Sequence, residues 1–126
     1  GVLQDLPRGK DFDDAYCAEL YRISRSFFLV GEYEQTLELL LEMHRFHWMN
    51  PHAWLDAAEC FLRLGEPREG VLLLENTLQS MEPLFSIDQL LRGGDLFGEA
   101  GRADLQQAMY QKARERFEAE KGGSAE

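Results

Sequence analysis

Apolar residues recur along most of the chain at steps of three and four positions, which is the spacing of one face of an α-helix. In the first such run they are Leu20, Ile23, Phe27 and Val30. No segment shows the sustained apolar–polar alternation that is typical of a half-buried β-strand. The pattern therefore predicts an all-α chain.

Helix-breaking residues divide this pattern into six predicted helices. Gly31, Gly65 and Gly101 end amphipathic runs. Pro51 and Pro67 stand at first helical positions, where the missing N–H of proline costs nothing. The predicted helices run from the acidic cluster at 11–14 to about residue 29, and then over about residues 32–46, 51–64, 67–81, 86–100 and 102–120.

The spacing of the turns indicates a repeat. Gly31 and Gly65 are 34 positions apart, which is the period of a helix–turn–helix unit whose helices cannot bury their apolar faces alone. Gly101 follows Gly65 after 36 positions, so two extra residues are expected in the connection at 81–85. Stacked hairpins of this kind form a concave surface that suits the binding of another chain.

Residues at equivalent positions resemble those of the tetratricopeptide (TPR) repeat family. The family has a small residue where the two helices of a hairpin cross, then a large residue, then a glycine that closes the first helix. The small and large residues here are Ser24 and Phe27, Ala58 and Phe61, and Gly94 and Phe97. The second helices depart from the family pattern, because Thr36, Gly70 and Gln106 stand where alanine is usual.

This resemblance implies a fold and a domain organisation. It implies an α-α superhelix of about three TPR-like repeats, with an N-terminal extension at 1–12, a repeat domain at 13–121 and a disordered tail at 122–126. A generic helical bundle with coincidental spacing is the alternative. Residues 57–66 also resemble, more weakly, a repeat of the class II chaperones of type III secretion, which hold translocator segments in their groove.

Composition narrows the classes of partner. The 126 residues carry a net charge of −10, which argues against a nucleic-acid partner. No apolar stretch approaches the ~20 residues that a membrane-spanning helix needs, so no membrane insertion is expected. Cys17 and Cys60 lie inside amphipathic runs and are expected to be buried free thiols. We expect a cytoplasmic chain that binds another protein, and a homodimer remains open.

The first helix of each hairpin is expected to line the concave surface, with the face that points away from the packing residues. Its aromatic and leucine side chains offer apolar contacts, and its arginines offer bidentate contacts to carboxylates. In the alternative, these arginines and the acidic side chains pair with each other as a solvated face. The expected partner-binding residues are Tyr21, Arg22, Arg25, Phe28, Leu55, Asp56, Glu59, Arg63, Leu91, Arg92 and Asp95, with Ala18, His52 and Asp88 on the same faces.

A second candidate surface is the segment at 44–49, which contains two histidines, an arginine, two aromatic residues and a methionine. Its aromatic and methionine content suits a docking or self-association site. Alternatively, these side chains cover the junction between hairpins. A carboxylate clamp like that of TPR chaperone-tail binders is not expected, because Arg25 and Glu59 stand where those proteins have asparagine.

No catalytic motif, cofactor site or metal site is expected. His44, His47 and His52 lack a further ligand at a recognised zinc spacing. The acidic cluster at 11–14 lacks the glycine and the distal glutamate of a calcium loop. No serine or cysteine has a nucleophile motif around it. The chain is therefore not expected to be an enzyme.

These observations favour a non-catalytic interaction module that binds a peptide or helical segment of a partner protein in its concave groove. Two alternatives remain open. One is a small acidic secretion-type chaperone for an apolar client. The other is a structural self-assembling helical-repeat scaffold whose groove stays empty.

Overall fold

The computed structural model of the protein describes residues 10–48 and 50–124, and these residues form six α-helices and no strand. The predicted all-α helical-repeat fold is confirmed. The helices are α1 (Lys10–Leu29), α2 (Tyr33–Met43), α3 (Pro51–Arg63), α4 (Pro67–Met81), α5 (Ile87–Glu99) and α6 (Ala103–Ser124).

Neighbouring helices pack as hairpins. α1 packs on α2, α3 on α4 and α5 on α6, and α3 also packs on α5. The chain divides into two compact units. The first ends before Asn50 and holds the first hairpin, and the second begins at Asn50 and holds the other two. The expected domain limits at 13 and 121 remain predictions.

All three hairpin turns have the same backbone geometry. Gly31, Gly65 and Gly101 have φ values of +83°, +81° and +81°, in the left-handed region that side chains disfavour. In each turn, the N–H of the next residue donates to a carbonyl five residues back, at 3.0, 2.8 and 2.9 Å. This pattern is the Schellman motif, which satisfies carbonyls that a helix end leaves without partners. The three acceptors are the carbonyl groups of Phe27, Phe61 and Phe97.

Side-chain caps fix the starts of α3 and α5. The Asn50 side chain accepts hydrogen bonds from the N–H groups of His52 at 2.9 Å and Ala53 at 3.4 Å. Ser86 and Gln89 form a reciprocal capping box, with N–H to side-chain distances of 3.1 and 2.8 Å. Such caps satisfy donors that have no partner within the helix. Both predicted helix starts are confirmed.

Small residues allow the helices of a hairpin to cross closely. Ser24, Ala58 and Gly94 are all buried. A Cβ atom on Gly70 would lie only 3.1 Å from the carbonyl oxygen of Ala58. Gly70 therefore allows α4 to approach the backbone of α3, which accounts for its departure from the usual alanine.

The end of α2 differs from the prediction. The α-helix stops at Met43 instead of near residue 46, and a 3₁₀ turn follows at His44–Phe46. His47 then adopts a φ of +51°. A left-handed residue closes a helix, so this histidine ends the hairpin where no glycine is present.

The outer ends of the chain also differ from the prediction. α6 runs to Ser124, past the expected end near residue 120 and into the expected tail. Most residues from 114 to 121 are strong helix formers, which favours the helix up to the two glycines at 122 and 123, and each glycine disfavours its last turn by only about 1 kcal/mol. α1 begins at Lys10, inside the segment expected as an extension. The rest of that extension, residues 1–9, and residues 125 and 126 lie outside the described residues.

The longer connection between the second and third hairpins contains a 3₁₀ turn, Glu82–Leu84, followed by the buried Phe85. α6 contacts this connection twice. Arg116 donates to the carbonyl of Phe85, and Lys112 Nζ lies 2.6 Å from a carboxylate oxygen of Glu82. The extra residues of the 36-residue spacing are therefore held against α6.

Candidate protein-binding face

The expected binding face of α3 and α5 contains a buried ion pair. The Asp56 side chain has no solvent exposure, and Arg92 Nη2 lies 2.7 Å from its Oδ1. The same guanidinium nitrogen lies 3.3 Å from Glu59 Oε1. Arg92 thus joins two carboxylates of α3 to α5, and its charge is used within the protein.

A second arginine extends this network. Arg63 lies 3.5 Å from Glu59 on its own helix and 2.8 Å from Glu99 on α5. These groups are partly exposed, and an exposed ion pair contributes little to stability. In the second unit, the charged side chains of this face are therefore paired with each other, so they are poorly placed to select a charged partner.

Leu55 does not lie on an open surface, contrary to expectation. It is fully buried, and its Cδ2 would lie 3.8 Å from a Cβ built on Gly93 of α5. Leu55 therefore fills the space between α3 and α5, at ordinary contact distance from this position of α5. This position packs one hairpin on the next, so Leu55 has no exposed surface for the apolar partner contact predicted from the sequence.

The equivalent residue of α5, Leu91, is 39% exposed. It lines an open groove of about 600 Å³ between α5 and α6, together with Ile87, Arg114 and Phe117. Asp95 lies one turn further along α5 and accepts a hydrogen bond from the hydroxyl of Tyr110. That bond is the main cause of the raised pKa of Tyr110.

The predicted residues of α1 lie in the first unit. Arg22 Nη1 lies 2.7 Å from Glu19 Oε1, and both side chains are well exposed. The guanidinium of Arg25 lies over the ring of Phe28, 5.1 Å from its centroid. The same ring makes an edge contact with Tyr33 of α2, with centroids 5.9 Å apart.

The segment at 44–48 packs against α1 of the same unit. Phe46 makes an edge contact with Tyr16 at a centroid distance of 5.4 Å, and Trp48 lies 5.9 Å from Tyr21. Two aromatic residues of this second candidate surface are therefore partly covered within the first unit. Met49 lies outside the described residues.

Both cysteines are buried free thiols, as expected. Burial is the main cause of the raised pKa of Cys60, which reaches about 12, and nearby Asp56 and Glu59 raise it further. The pKa of Cys17 is raised by burial and by Asp13 and Asp14. Because the thiolate is the reactive form, neither side chain is suited to nucleophilic chemistry.

Within residues 10–48 and 50–124, no three His, Cys, Asp or Glu side chains are grouped to hold a metal ion. None of the helices in these ranges combines the length and the apolar character that spanning a membrane requires.

Comparison with known proteins gives one relative with TPR repeats. The chain is 30% identical over 84 residues to the TPR repeat-containing protein YpiA of Bacillus subtilis (strain 168). The match covers 67% of this chain and 20% of that protein, so the chain spans about a fifth of the length of its relative. No family model matches the chain. The relative and the helical hairpins are compatible with a TPR-like repeat, whereas the resemblance to secretion chaperones stays a prediction.

The sequence analysis did not identify which charged residues of α3 and α5 pair with each other. Arg92 pairs with Asp56 and Glu99 with Arg63, and each pair is 36 positions apart. This is the spacing between Gly65 and Gly101, so each pair joins equivalent positions of successive hairpins. Opposite charges at the repeat spacing were the signal that could have identified both pairs.

Proposed function

We propose that this chain is a non-catalytic protein-interaction module that binds a peptide or helical segment of a partner protein through the exposed face of α1. The three similar hairpins and the similarity to a TPR repeat-containing protein support an interaction role. The other proposed contacts are Arg63, Leu91, Arg92 and Asp95 on the second unit, where Arg63 and Arg92 mainly hold the structure together.

The observation that carries this proposal is the stacking of Arg25 on Phe28. Arginine can stack on an aromatic ring and can also bind carboxylates in a bidentate manner. The stacked pair thus combines an apolar surface with a positive charge. Aromatic residues and arginine are the residues most often enriched at binding hot spots.

This arrangement defines the chemistry of the partner segment. A helix with an aromatic or aliphatic anchor can pack on Phe28, and an acidic residue one turn away can pair with Arg25. The net charge of −10 acts in the opposite sense, because a long-range field of that sign attracts basic segments. The two effects can be separated with designed peptides.

The test compares two helical peptides with the same leucine and phenylalanine anchors, one flanked by glutamates and the other by lysines. Binding is measured by the fluorescence of a label on the peptide. We expect the acidic peptide to bind more tightly and Arg25→Glu to reverse the preference. Arg68→Glu is the matched control, because it makes the same charge change at an exposed position of α4.

Either of two outcomes would overturn the proposed face. One is tighter binding of the lysine-flanked peptide to the unaltered protein, since the net charge would then govern binding. The other is equal weakening by Arg25→Glu and Arg68→Glu, since the effect would then not depend on location.

The proposal includes a cytoplasmic location and a protein partner. The small acidic chaperone for an apolar client remains an alternative that no specific contact favours. The self-assembling scaffold has an observation in its favour, which is the exposed apolar surface at Leu91 and Phe117.

A further inference from the structure

The outer face of the third hairpin is apolar and open. Ile87, Leu91 and Phe117 line the groove of about 600 Å³ between α5 and α6, and the last two are 39% and 53% exposed. In stacked repeats such an apolar face packs on a neighbouring hairpin, so this face has the character of one that another helix covers.

The second hairpin shows what covers such a face. Leu55 and Met81, each 36 positions before Leu91 and Phe117, are 0% and 7% exposed. Leu55 lies against Gly93 of α5, so the first helix of the following hairpin packs there. By this correspondence, the open groove fits a helix that packs as α5 does.

α1 presents the matching surface. Ile23, Ala57 and Gly93 occupy the same position in the first helices of the three hairpins. Ala57 and Gly93 are buried, whereas Ile23 is 46% exposed. Among the three first helices, α1 is thus the one with this position uncovered. The volume of the groove also leaves room for an isoleucine where α5 has a glycine.

One charge pair of the α3–α5 contact can form again between the two surfaces. In the α3–α5 contact, Arg92 pairs with Glu59 at 3.3 Å. The residue equivalent to Arg92 in α1 is Arg22, and the residue equivalent to Glu59 in α5 is Asp95. Both are exposed, so a helix α1 that packs on the third hairpin as α5 packs on α3 brings Arg22 next to Asp95.

We propose that copies of this chain associate head to tail, with α1 of one copy packed in the groove between α5 and α6 of another. The contact repeats the α3–α5 packing between molecules. It lacks two ion pairs of that packing, because Arg92 stands in place of Asp56 and brings a like charge near Arg22, and because Glu99 and Leu29 stand in place of Arg63 and Glu99. The association is therefore weaker than the packing within the chain, and it is reversible.

A contact between two different surfaces leaves each copy with one further surface, so it produces open chains or closed rings of molecules rather than a two-fold dimer. Repulsion between copies of charge −10 opposes growth at low salt, and added salt screens it. We expect the average mass of the unaltered protein to rise beyond that of a dimer with concentration, and to rise further with salt. Sedimentation velocity measures both trends.

Two blocking variants give the decisive test. Ile23→Glu blocks the α1 surface and leaves the groove intact. Phe117→Glu blocks the groove and leaves the α1 surface intact. Each places a charge in the contact and should weaken self-association about tenfold or more. An equimolar mixture of the two should form a one-to-one dimer and nothing larger, because each molecule retains one intact surface. Leu72→Glu, at a 55% exposed residue of α4, is the control and should associate like the unaltered protein.

Three results would overturn the proposal: an unaltered protein that stays monomeric at all concentrations and salt levels, self-association of Ile23→Glu on its own, or a mixture that stays monomeric. The substituted residues lie outside the proposed peptide contacts Arg25 and Phe28. Peptide binding by Ile23→Glu, which leaves the groove at Leu91 intact, therefore tests the proposed function separately.

Discussion

Arg92 and Asp56 occupy equivalent positions in successive hairpins, and the 2.7 Å ion pair between them contains a carboxylate with no solvent exposure. The shift of one repeat places equivalent positions of α3 and α5 side by side. An arginine and an acidic residue at these positions therefore fix the register of one hairpin on the next. The pair Arg63 and Glu99 does the same with more exposed groups.

The first prediction concerns the stability that the protein loses when Asp56 has no arginine beside it. Arg92→Ala leaves a buried carboxylate beside Glu59, so it should lower the free energy of unfolding by about 3 kcal/mol. Urea denaturation followed by circular dichroism measures the change.

Two variants control this experiment. Arg22→Ala removes an exposed pair and should cost less than about 1 kcal/mol. Arg92→Leu combined with Asp56→Leu removes both charges and should recover much of the lost stability. An Arg92→Ala protein as stable as Arg22→Ala would contradict a structural role for the buried pair.

The helices and turns could be predicted from the sequence because the residues that start and end them act on the backbone next to them. Glycines at turns, prolines at first helical positions and the Ser86 cap each satisfy or limit the backbone within a few residues. The ends of α2 and α6 were less predictable because the local signals there are weak. No strong breaker follows Met43, and Gly122 in a helix costs only about 1 kcal/mol against alanine.

The second prediction concerns the crossing of α5 and α6. A Cβ on Gly94 would lie 2.7 Å from the ring of Tyr110 and 3.3 Å from Met109 Cβ. Gly94→Ala must therefore move a ring that is hydrogen-bonded to Asp95. We expect a loss of about 1–2 kcal/mol in the free energy of unfolding, since overpacking exceeds the gain in helix propensity.

The adjacent glycine provides the control for Gly94→Ala. A Cβ on Gly93 would lie 2.8 Å from Met109 Cε, which is the end of a flexible side chain. Gly93→Ala should therefore change stability little, because the methionine can move and alanine favours the helix. Equal stabilities of the two variants in thermal denaturation would contradict the proposed crowding at Tyr110.

The third prediction concerns the hairpin turn at Gly65. No atom lies within 4 Å of a Cβ built there, yet its φ is +81°. Gly65→Ala should therefore lower the free energy of unfolding by about 1–2 kcal/mol through backbone strain alone. Gly65→Asn should cost less, because asparagine tolerates this conformation better.

Gly122→Ala is the control for this turn, since Gly122 is helical, has equally open surroundings and lacks the positive φ. It should be neutral or slightly stabilising. Denaturant midpoints that show no difference between Gly65→Ala and Gly122→Ala would contradict the conformational explanation.

The binding face was harder to predict than the fold because it depends on how closely neighbouring helices approach. A helical projection places Leu55 next to Asp56 and Glu59 on the expected groove side. The projection contains no information about α5, which packs on α3 and lies against Leu55 at position 93. The exposure of the same position at Leu91 follows from the absence of a following helix in the described residues.

The last prediction concerns stability at alkaline pH. Burial raises the pKa of Cys60 from 9.0 to about 12, so the folded state keeps the thiol neutral over a range in which the unfolded chain ionises it. The stability from this group is fully present below about pH 9 and is lost as the pH rises toward about 12. We expect the free energy of unfolding of the unaltered protein to fall more steeply over this range than that of Cys60→Ala. Comparing the two slopes by urea denaturation cancels the tyrosines and lysines, which titrate in both proteins. Parallel slopes would show that Cys60 ionises equally in the folded and unfolded states.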